Sequence, residues 1–408
     1  MGIPTVRNAS GLVKQIFSEY YRSNGARIQP PTDFQRREFG FILFDTGTMV
    51  RHQGYHHIDE VREFLQSTVP SHAYYSAGLY KRPRETMDRK GWLGTDLMFD
   101  IDFDHIPTPC KENHEYWICV HCNHTGTGRR PETCPGCGGG KFKEEAWLCE
   151  TCLDASKAEM QKLVDFLIVD FGFSTEEIDV IFSGHRGYHV HVEKEEVRLL
   201  SQAARKEIVD YIAGTGLKAE YHGLREAEKA SRVEGPQIDA KGWPGRLAKG
   251  IYDVVSSRSQ DTKRGKGRGM SPAQKRLILD AWDRGLSWNV KGVGIKTWLR
   301  LAYSGVQKHA AQIDTVVTTD MRRLIRLPDT LHGKTGLKVI HVPIHSLESF
   351  DPLKDAIAFH GGSMQVEVRQ AHAFRIGDAT YGPFVRERVE LPFAAALYLL
   401  CKNAAIPI

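Results

Sequence analysis

The sequence predicts an α+β fold, and three kinds of segment predict it. In residues 97–104, Leu97, Phe99, Ile101 and Phe103 alternate with Met98, Asp100, Asp102 and Asp104. Side chains alternate faces along a strand, so this segment reads as a strand with one apolar and one acidic face. Residues 179–192 read as a buried strand, a glycine-flanked turn at Gly184 and Gly187, and a returning strand. Helical spacing supplies the rest, as in residues 155–171, where Met160, Leu163, Val164 and Leu167 fall near one face.

In chain order, residues 11–21 read as an amphipathic helix. Residues 35–51 suggest a strand hairpin carrying Arg37, and residues 72–104 lead into the acidic strand. A cysteine-rich excursion occupies 110–152. After the helix at 155–171 and the hairpin at 179–192, residues 201–311 are mostly helical. They are interrupted by a basic, glycine-rich run at 263–269 within a loop at 256–272. That run holds too few apolar residues to pack; it is either a solvated linker or a nucleic-acid contact. Residues 366–368 and 384–389 look like strands, and 393–402 like a closing helix. The expected domains are a catalytic core formed by 1–200 and 312–408, with a metal-binding insertion at 110–152 and a helical subdomain at 201–311.

The chain has 408 residues, enough for two or three domains and a sizeable core. At 41% hydrophobic and 26% charged it is an ordinary globular composition. The net charge of +5 permits nucleic-acid binding without demonstrating it. No apolar run approaches the ~20 residues needed to span a bilayer, and residues 1–7 show no signal-peptide core. A reducing cytoplasm is therefore expected, where the eight cysteines are better read as metal ligands than as disulfides.

Three landmarks carry chemistry. The carboxylates of Asp100, Asp102 and Asp104 would repel one another unless a cation sits among them, and paired carboxylates are a natural clamp for Mg²⁺ or Mn²⁺. The alternative is a half-exposed edge strand with solvated acids. Around the turn at 184–187, Ser183, Arg186 and His189 would lie close together, and Arg with His offers charge-assisted donors to phosphate. The bland reading is a structural hairpin with a surface arginine. At Gly333-Lys-Thr335 a phosphate loop fails, because Pro328 stands where the motif needs glycine. His332 and Lys334 can still donate to phosphate; otherwise they form a basic turn. Among the cysteines, Cys119 with Cys122 and Cys134 with Cys137 form two CxxC knuckles, a strong signal for tetrahedral Zn²⁺.

Taken in order, Arg36-Arg-Glu-Phe39, Asp100-Ile-Asp102, Ser183-Gly-His-Arg-Gly-Tyr-His189, Ile313-Asp314 and the motif at 326–336 resemble the catalytic small subunit of the archaeal and eukaryotic DNA primase. The closing stretch, with Phe350-Asp-Pro-Leu353, looks like the archaeal branch. The resemblance implies a primase-type core of mixed sheets. It implies that Asp100, Asp102 and Asp314 are catalytic ligands of Mg²⁺ or Mn²⁺, and that Arg37, Ser183, Arg186, His189, His332 and Lys334 bind the nucleotide. Asp104 and Asp320 compete with Asp314 for the third carboxylate. The chain departs from the pattern at His185, often Arg in relatives, and at Asp329 and Thr330. The resemblance also implies a second Zn²⁺ on Cys110, His114, Cys149 and Cys152, so that the 119–137 ribbon looks inserted. His121 and His124 compete with His114. Cys401 reads as a buried thiol.

The expected activity is two-metal, template-directed synthesis of short RNA, or DNA, primers on single-stranded DNA. NTPs, with dNTPs as the alternative, are the expected substrates, and a primase large subunit is the expected partner. A primase-like polymerase that extends ends or gaps would share these residues. A non-catalytic zinc-ribbon nucleic-acid-binding protein would not need a carboxylate strand.

Overall fold

The first sheet grows around β3. β1 (Arg37–Leu43) pairs antiparallel with β2 (Met49–Gln53) and with β3 (Pro70–Tyr80). β3 also takes β4 (Trp92–Thr95) and, from far along the chain, a strand at Leu324–Arg326. The second sheet begins with β5 (Leu97–Asp102). A three-stranded ribbon follows, of β6 (Glu115–Cys119), β7 (Thr125–Thr127) and β8 (Phe142–Ala146), with β6 in the middle. β9 (Ile178–Phe182) and β10 (Gly187–Val192) form a hairpin. β10 lies against β5, and Ile340–His341 closes the far edge against β9. The computed structural model describes residues 9–110, 115–122, 124–227, 232–257, 270–285 and 287–408. His114 and the basic run at 263–269 lie outside the described residues.

Period-2 patterning builds β5 as the sequence suggests. Leu97, Phe99 and Ile101 are fully buried. Met98 is buried as well, so the acidic face opens only from Asp100 onward. The first strand also places Phe39 and Phe41 in the core. Helix α1 (Ala9–Asn24) buries Val13, Ile16, Phe17, Tyr20 and Tyr21, the stripe expected of an amphipathic helix. Helix α2 (Ile58–Thr68) buries Val61 and Leu65. Helix α3 (Glu150–Asp165) leads into a π-helical turn at Phe166–Asp170.

The chain divides into two units. One comprises residues through 161, 175–205 and 313–408; the other comprises 162–174 and 206–312. The first holds both sheets and the ribbon. It also holds a three-stranded sheet in which Ser363–Ala371 lies between Phe384–Pro392 and Ala405–Pro407. The apolar closing helix at Phe393–Cys401 is buried almost all round.

The second unit is mostly helical. α4 (Gln202–Ile212) enters it, and α5 (Trp243–Ser256), α6 (Pro272–Asp283) and α7 (Ile295–His309) follow. α5 and α7 cross at glycines: a Cβ on Gly250 would sit 2.8 Å from the Gly305 backbone. Trp282, Trp288 and Trp298 cluster beside this crossing, with Trp282 and Trp298 stacked at 5.8 Å. Arg246 forks onto Asp170 at 2.8 and 3.0 Å and lies 3.7 Å over the Phe166 ring.

Candidate active site

Strand register decides what the acidic face meets. β10 places Gly187 opposite Asp102 and His189 opposite Asp100. A Cβ on Gly187 would come within 2.2 Å of the Ile101 carbonyl oxygen, so only glycine lets the strands approach here. His189 Nδ1 lies 3.2 Å from Asp100 Oδ1, and Arg323 reaches to 4.0 Å of Asp100. Burial alone would raise the Asp100 carboxyl; the charges of His189, Arg323 and Arg326 outweigh it and hold the group low. Burial raises Asp102, and the neighbouring Asp104 adds to it.

Asp314 arrives from the other end of the chain. Its backbone N–H donates to the Asp100 carbonyl at 2.8 Å, and its side chain caps helix α8 (Thr315–Thr319), accepting from the Val316 N–H at 2.9 Å. Asp320 sits at the opposite end of α8 and accepts from the Arg322 N–H at 2.9 Å. Of these two acids, Asp314 is the one tied to Asp100. Among the described residues, Asp100, Asp102 and Asp314 do not converge to within 4.8 Å as the cysteine sets do. Their donor chemistry nevertheless fits a hard divalent cation: oxygen ligands, partly buried, with like charge raising Asp102.

The phosphate candidates lie on two interlocked turns. In the β9–β10 turn, the Ser183 N–H donates to the Gly187 carbonyl at 3.0 Å, and Ser183 Oγ accepts from the Gly187 N–H at 3.3 Å. Gly184 has φ of +77°, and a Cβ there would meet His332 at 2.8 Å. Thr335 Oγ1 donates to the Gly184 carbonyl at 2.6 Å, clamping turn 332–336 onto the hairpin.

Arg186 is only 7% exposed. Its Nη2 donates to Asp104 at 2.6 Å, while its Nε and Nη1 are buried without a hydrogen-bond partner among the described residues. It lines a cleft of about 1220 Å³ together with Asp104, His185, exposed Lys334 and residues of the ribbon. Ser183, His189 and His332 are not among the residues lining it.

Two candidates sit otherwise than the sequence suggests. Arg37 is fully buried and committed inside the protein: it pairs with Asp96 at 2.6 Å and donates to the carbonyls of Ser76, Ala77 and Thr32. It holds structure and is not open to a nucleotide. Asp96, His191 and Glu193 lie close enough together for a metal, but Arg37 and Arg198 already neutralise Asp96, and Arg37 also reaches Glu193 at 3.9 Å. His332 is 2% exposed, stacked parallel on His185 at 4.9 Å and edge-on to His72 at 4.6 Å. Burial, then the Arg326 charge, pushes its pKa well down. It is therefore a neutral ring inside a histidine stack rather than a charged phosphate donor. The stack and the Arg37–Asp96 pair were not visible as sequence motifs, because their members are far apart in the chain.

The cysteines gather into two sets. Sγ atoms of Cys119, Cys122, Cys134 and Cys137 all lie within 4.8 Å of one another, with Cys119–Cys137 and Cys122–Cys134 both at 3.6 Å. Four Zn–S bonds of about 2.3 Å in a tetrahedron set sulfurs near this separation. Backbone N–H groups of His121 and Cys122 point at Cys119, as in a metal knuckle. Cys110, Cys149 and Cys152 form the second set, with Cys110 and Cys152 at 3.4 Å. His114, named as its fourth ligand, lies outside the described residues, and His121 and His124 do not join that set. The residues present fit zinc. Cys401 is half-buried, and burial pushes its thiol up to about 12; it lines the cleft rather than the core.

A protein-family model described as DNA primase small subunit matches residues 134–342. The DNA primase small subunit PriS of Methanothrix thermoacetophila is 34% identical over 415 residues, covering 95% of this chain and 96% of its own length. That of Cenarchaeum symbiosum is 33% identical over 396 residues, covering 97% of each. That of Methanococcoides burtonii is 34% identical over 418 residues, covering 96% of this chain and 97% of its own. Similarity at this level runs nearly end to end, and the chain belongs to the DNA primase small subunit family.

Proposed function

We propose that this chain is the catalytic subunit of a DNA primase. It joins nucleotides on a single-stranded DNA template within a heterodimer with the primase large subunit, in the cytoplasmic replication machinery. The observation that carries the reading is Arg186: a buried guanidinium with two unpartnered nitrogens, on the wall of a large cleft, beside a strand of carboxylates. Unsatisfied buried donors are costly, and a phosphate oxygen is the acceptor that relieves the cost.

Asp100, Asp102 and Asp314 would hold Mg²⁺ or Mn²⁺. Such an ion, when bound, lowers the pKa of an attacking 3′-hydroxyl and offsets the charge of the leaving pyrophosphate. The chain's own part is positioning. Arg186 offers N–H donors on Nε and Nη1, and Lys334 adds a flexible cation from the neighbouring turn. Ser183 accepts from the Gly187 N–H and has its hydroxyl proton to donate. His189 holds Asp100 in place across the strand pair. Zinc on Cys119, Cys122, Cys134 and Cys137 would be structural, since four protein ligands leave no open position, and the same would hold for the second set with His114 as its fourth ligand. NTPs are the expected substrates, with dNTPs as the alternative.

The test is synthesis on unprimed single-stranded DNA, with NTPs or dNTPs and Mg²⁺ or Mn²⁺, with and without the large subunit. Short labelled products are expected, and none from Asp100→Asn. Products made only from pre-existing ends would replace this reading with that of an end-extending polymerase.

A further inference from the structure

The cleft beside Arg186 has a second wall that the catalytic assignment leaves unexplained. It is built by the ribbon: Tyr116 on β6, the turn at residues 128–132 and Lys143 on β8. Arg129, Arg130 and Lys143 are exposed there. Arg186, Lys334 and Lys402 line the same cleft, with Asp104, Glu115 and Glu132 as its acids among the described residues. Among the described residues, six cations against three acids leave a local excess of three positive charges. Like charges facing one another across a cleft repel, and a bound anion relieves that repulsion. The two unpartnered buried nitrogens of Arg186 point independently to an anionic occupant. At about 1220 Å³ the cleft exceeds the roughly 300–1,000 Å³ usual for small-molecule sites, so it has room for contacts from both walls.

The ribbon is not a loose appendage. Its turn is closed by the Gly128 N–H donating to the Glu115 carbonyl at 2.8 Å. Tyr116 packs on His372 with ring centroids 4.4 Å apart, and His372 also meets Trp147. The wall is thus held at a fixed place by core contacts and by the four clustered sulfurs.

We propose that Arg129, Arg130 and Lys143 bind the polyphosphate tail of the incoming nucleoside triphosphate from the ribbon side, completing a cleft whose inner wall is Arg186 and Lys334. The proposal rests on the catalytic reading above. It makes the ribbon a determinant of nucleotide affinity.

The experiment uses the full chain with its zinc. Titration calorimetry with Mg²⁺ and inorganic tripolyphosphate is compared for the parent protein, Arg129→Ala/Arg130→Ala and Arg129→Lys/Arg130→Lys. Extension of a primed template gives KM and kcat for the same proteins. The alanine pair is expected to weaken tripolyphosphate binding and raise the nucleotide KM about tenfold, the effect of losing one or two charge-assisted contacts. kcat should stay within about twofold, since these contacts are made before and after the transition state alike. The lysine pair should recover most of the affinity. Lys143→Ala leaves the turn untouched and is expected to raise KM about threefold; it stands in if the double variant loses zinc or melts early. Unchanged tripolyphosphate affinity and KM would overturn the proposal. So would an unchanged KM with weakened single-stranded DNA binding, which would assign the wall to the nucleic-acid backbone. Asp100→Asn, run in parallel, separates the two readings. Retained extension there overturns the catalytic assignment, whereas an inactive Asp100→Asn with wild-type ribbon variants overturns only the wall.

Discussion

Two arginines in this chain illustrate how the same side chain does opposite work. Arg37 has its donors spent on Asp96 and backbone carbonyls in the core. Arg37→Ala is expected to cost about 3–5 kcal/mol in denaturant unfolding, because it strands buried partners. Among the described residues, Arg186 forms an ion pair with half-exposed Asp104, and two of its nitrogens lack hydrogen-bond partners. Arg186→Ala should leave stability within about 1 kcal/mol, since the half-exposed Asp104 regains water and no buried charge is stranded, but lower kcat/KM about a hundredfold. Extension kinetics and an unfolding curve on each variant give the comparison; a large stability loss with intact kinetics at Arg186 would make it structural too. Asp100→Asn removes a carboxylate proposed to hold the divalent cation and should abolish transfer while the fold persists, as checked by circular dichroism. The histidine stack carries a pH signature. Burial lowers the pKa of His72 and of His332 well below the usual value, with cationic neighbours adding to it. Below about pH 6.5 the unfolded chain therefore binds protons that the folded chain refuses, and stability falls as pH falls. Each such group contributes about 1.4 kcal/mol per pH unit once the unfolded histidine is protonated. The melting temperature should drop between pH 6.5 and 5, and His332→Gln should flatten that slope.

At the scale of elements, the site depends on one strand pairing and one ribbon. β10 can lie against β5 only because Gly187 has no Cβ to strike the Ile101 carbonyl. Gly187→Ala should shift the pair, destabilise by about 2 kcal/mol or more, and disturb the alignment of His189 with Asp100. Normal activity with normal stability would show that the register tolerates the bulge. The ribbon has too little core to stand alone: β7 is three residues long, and Cys134 and Trp117 are among its few buried side chains. Metal bound by the four clustered sulfurs would contribute directly to folding free energy. Metal analysis should find two zinc atoms per chain. Cys134→Ser is expected to lose one of them and to make residues 115–146 protease-sensitive while β5 and β10 stay protected. One zinc or none in the parent protein would refute the two-site assignment.

Across the whole molecule, the chemistry-bearing residues all belong to the unit that contains the two sheets, and the helical unit is stabilised by its own contacts at Gly250, Gly305 and the tryptophan cluster. The net charge of +5 is modest, and contacts between Lys/Arg side chains and a phosphate backbone are salt-sensitive. The isolated chain is therefore expected to bind single-stranded DNA weakly and to initiate poorly at physiological salt. Adding the large subunit should raise initiation far more than the rate of each addition. Equal initiation with and without the partner at matched salt would show that this chain suffices.

What the sequence determined by itself was local. Alternation at 97–104, the glycine-flanked hairpin at 179–192 and the CxxC knuckles each follow rules of period or spacing that act within about ten residues. The α+β class followed from them, and so did the placing of Asp100 and Asp102 on one strand face. Tertiary structure decided everything that depends on distant partners. It brings Asp314 onto Asp100 across more than two hundred residues and buries Arg37 beneath Asp96. It turns His332 into the middle of a histidine stack and sets the ribbon's arginines across a cleft from Arg186. A motif gives a residue's type and its neighbours along the chain. Whether its donors are spent or open is set by what the fold packs against it, and that sum of desolvation and pairing is not written at any one position.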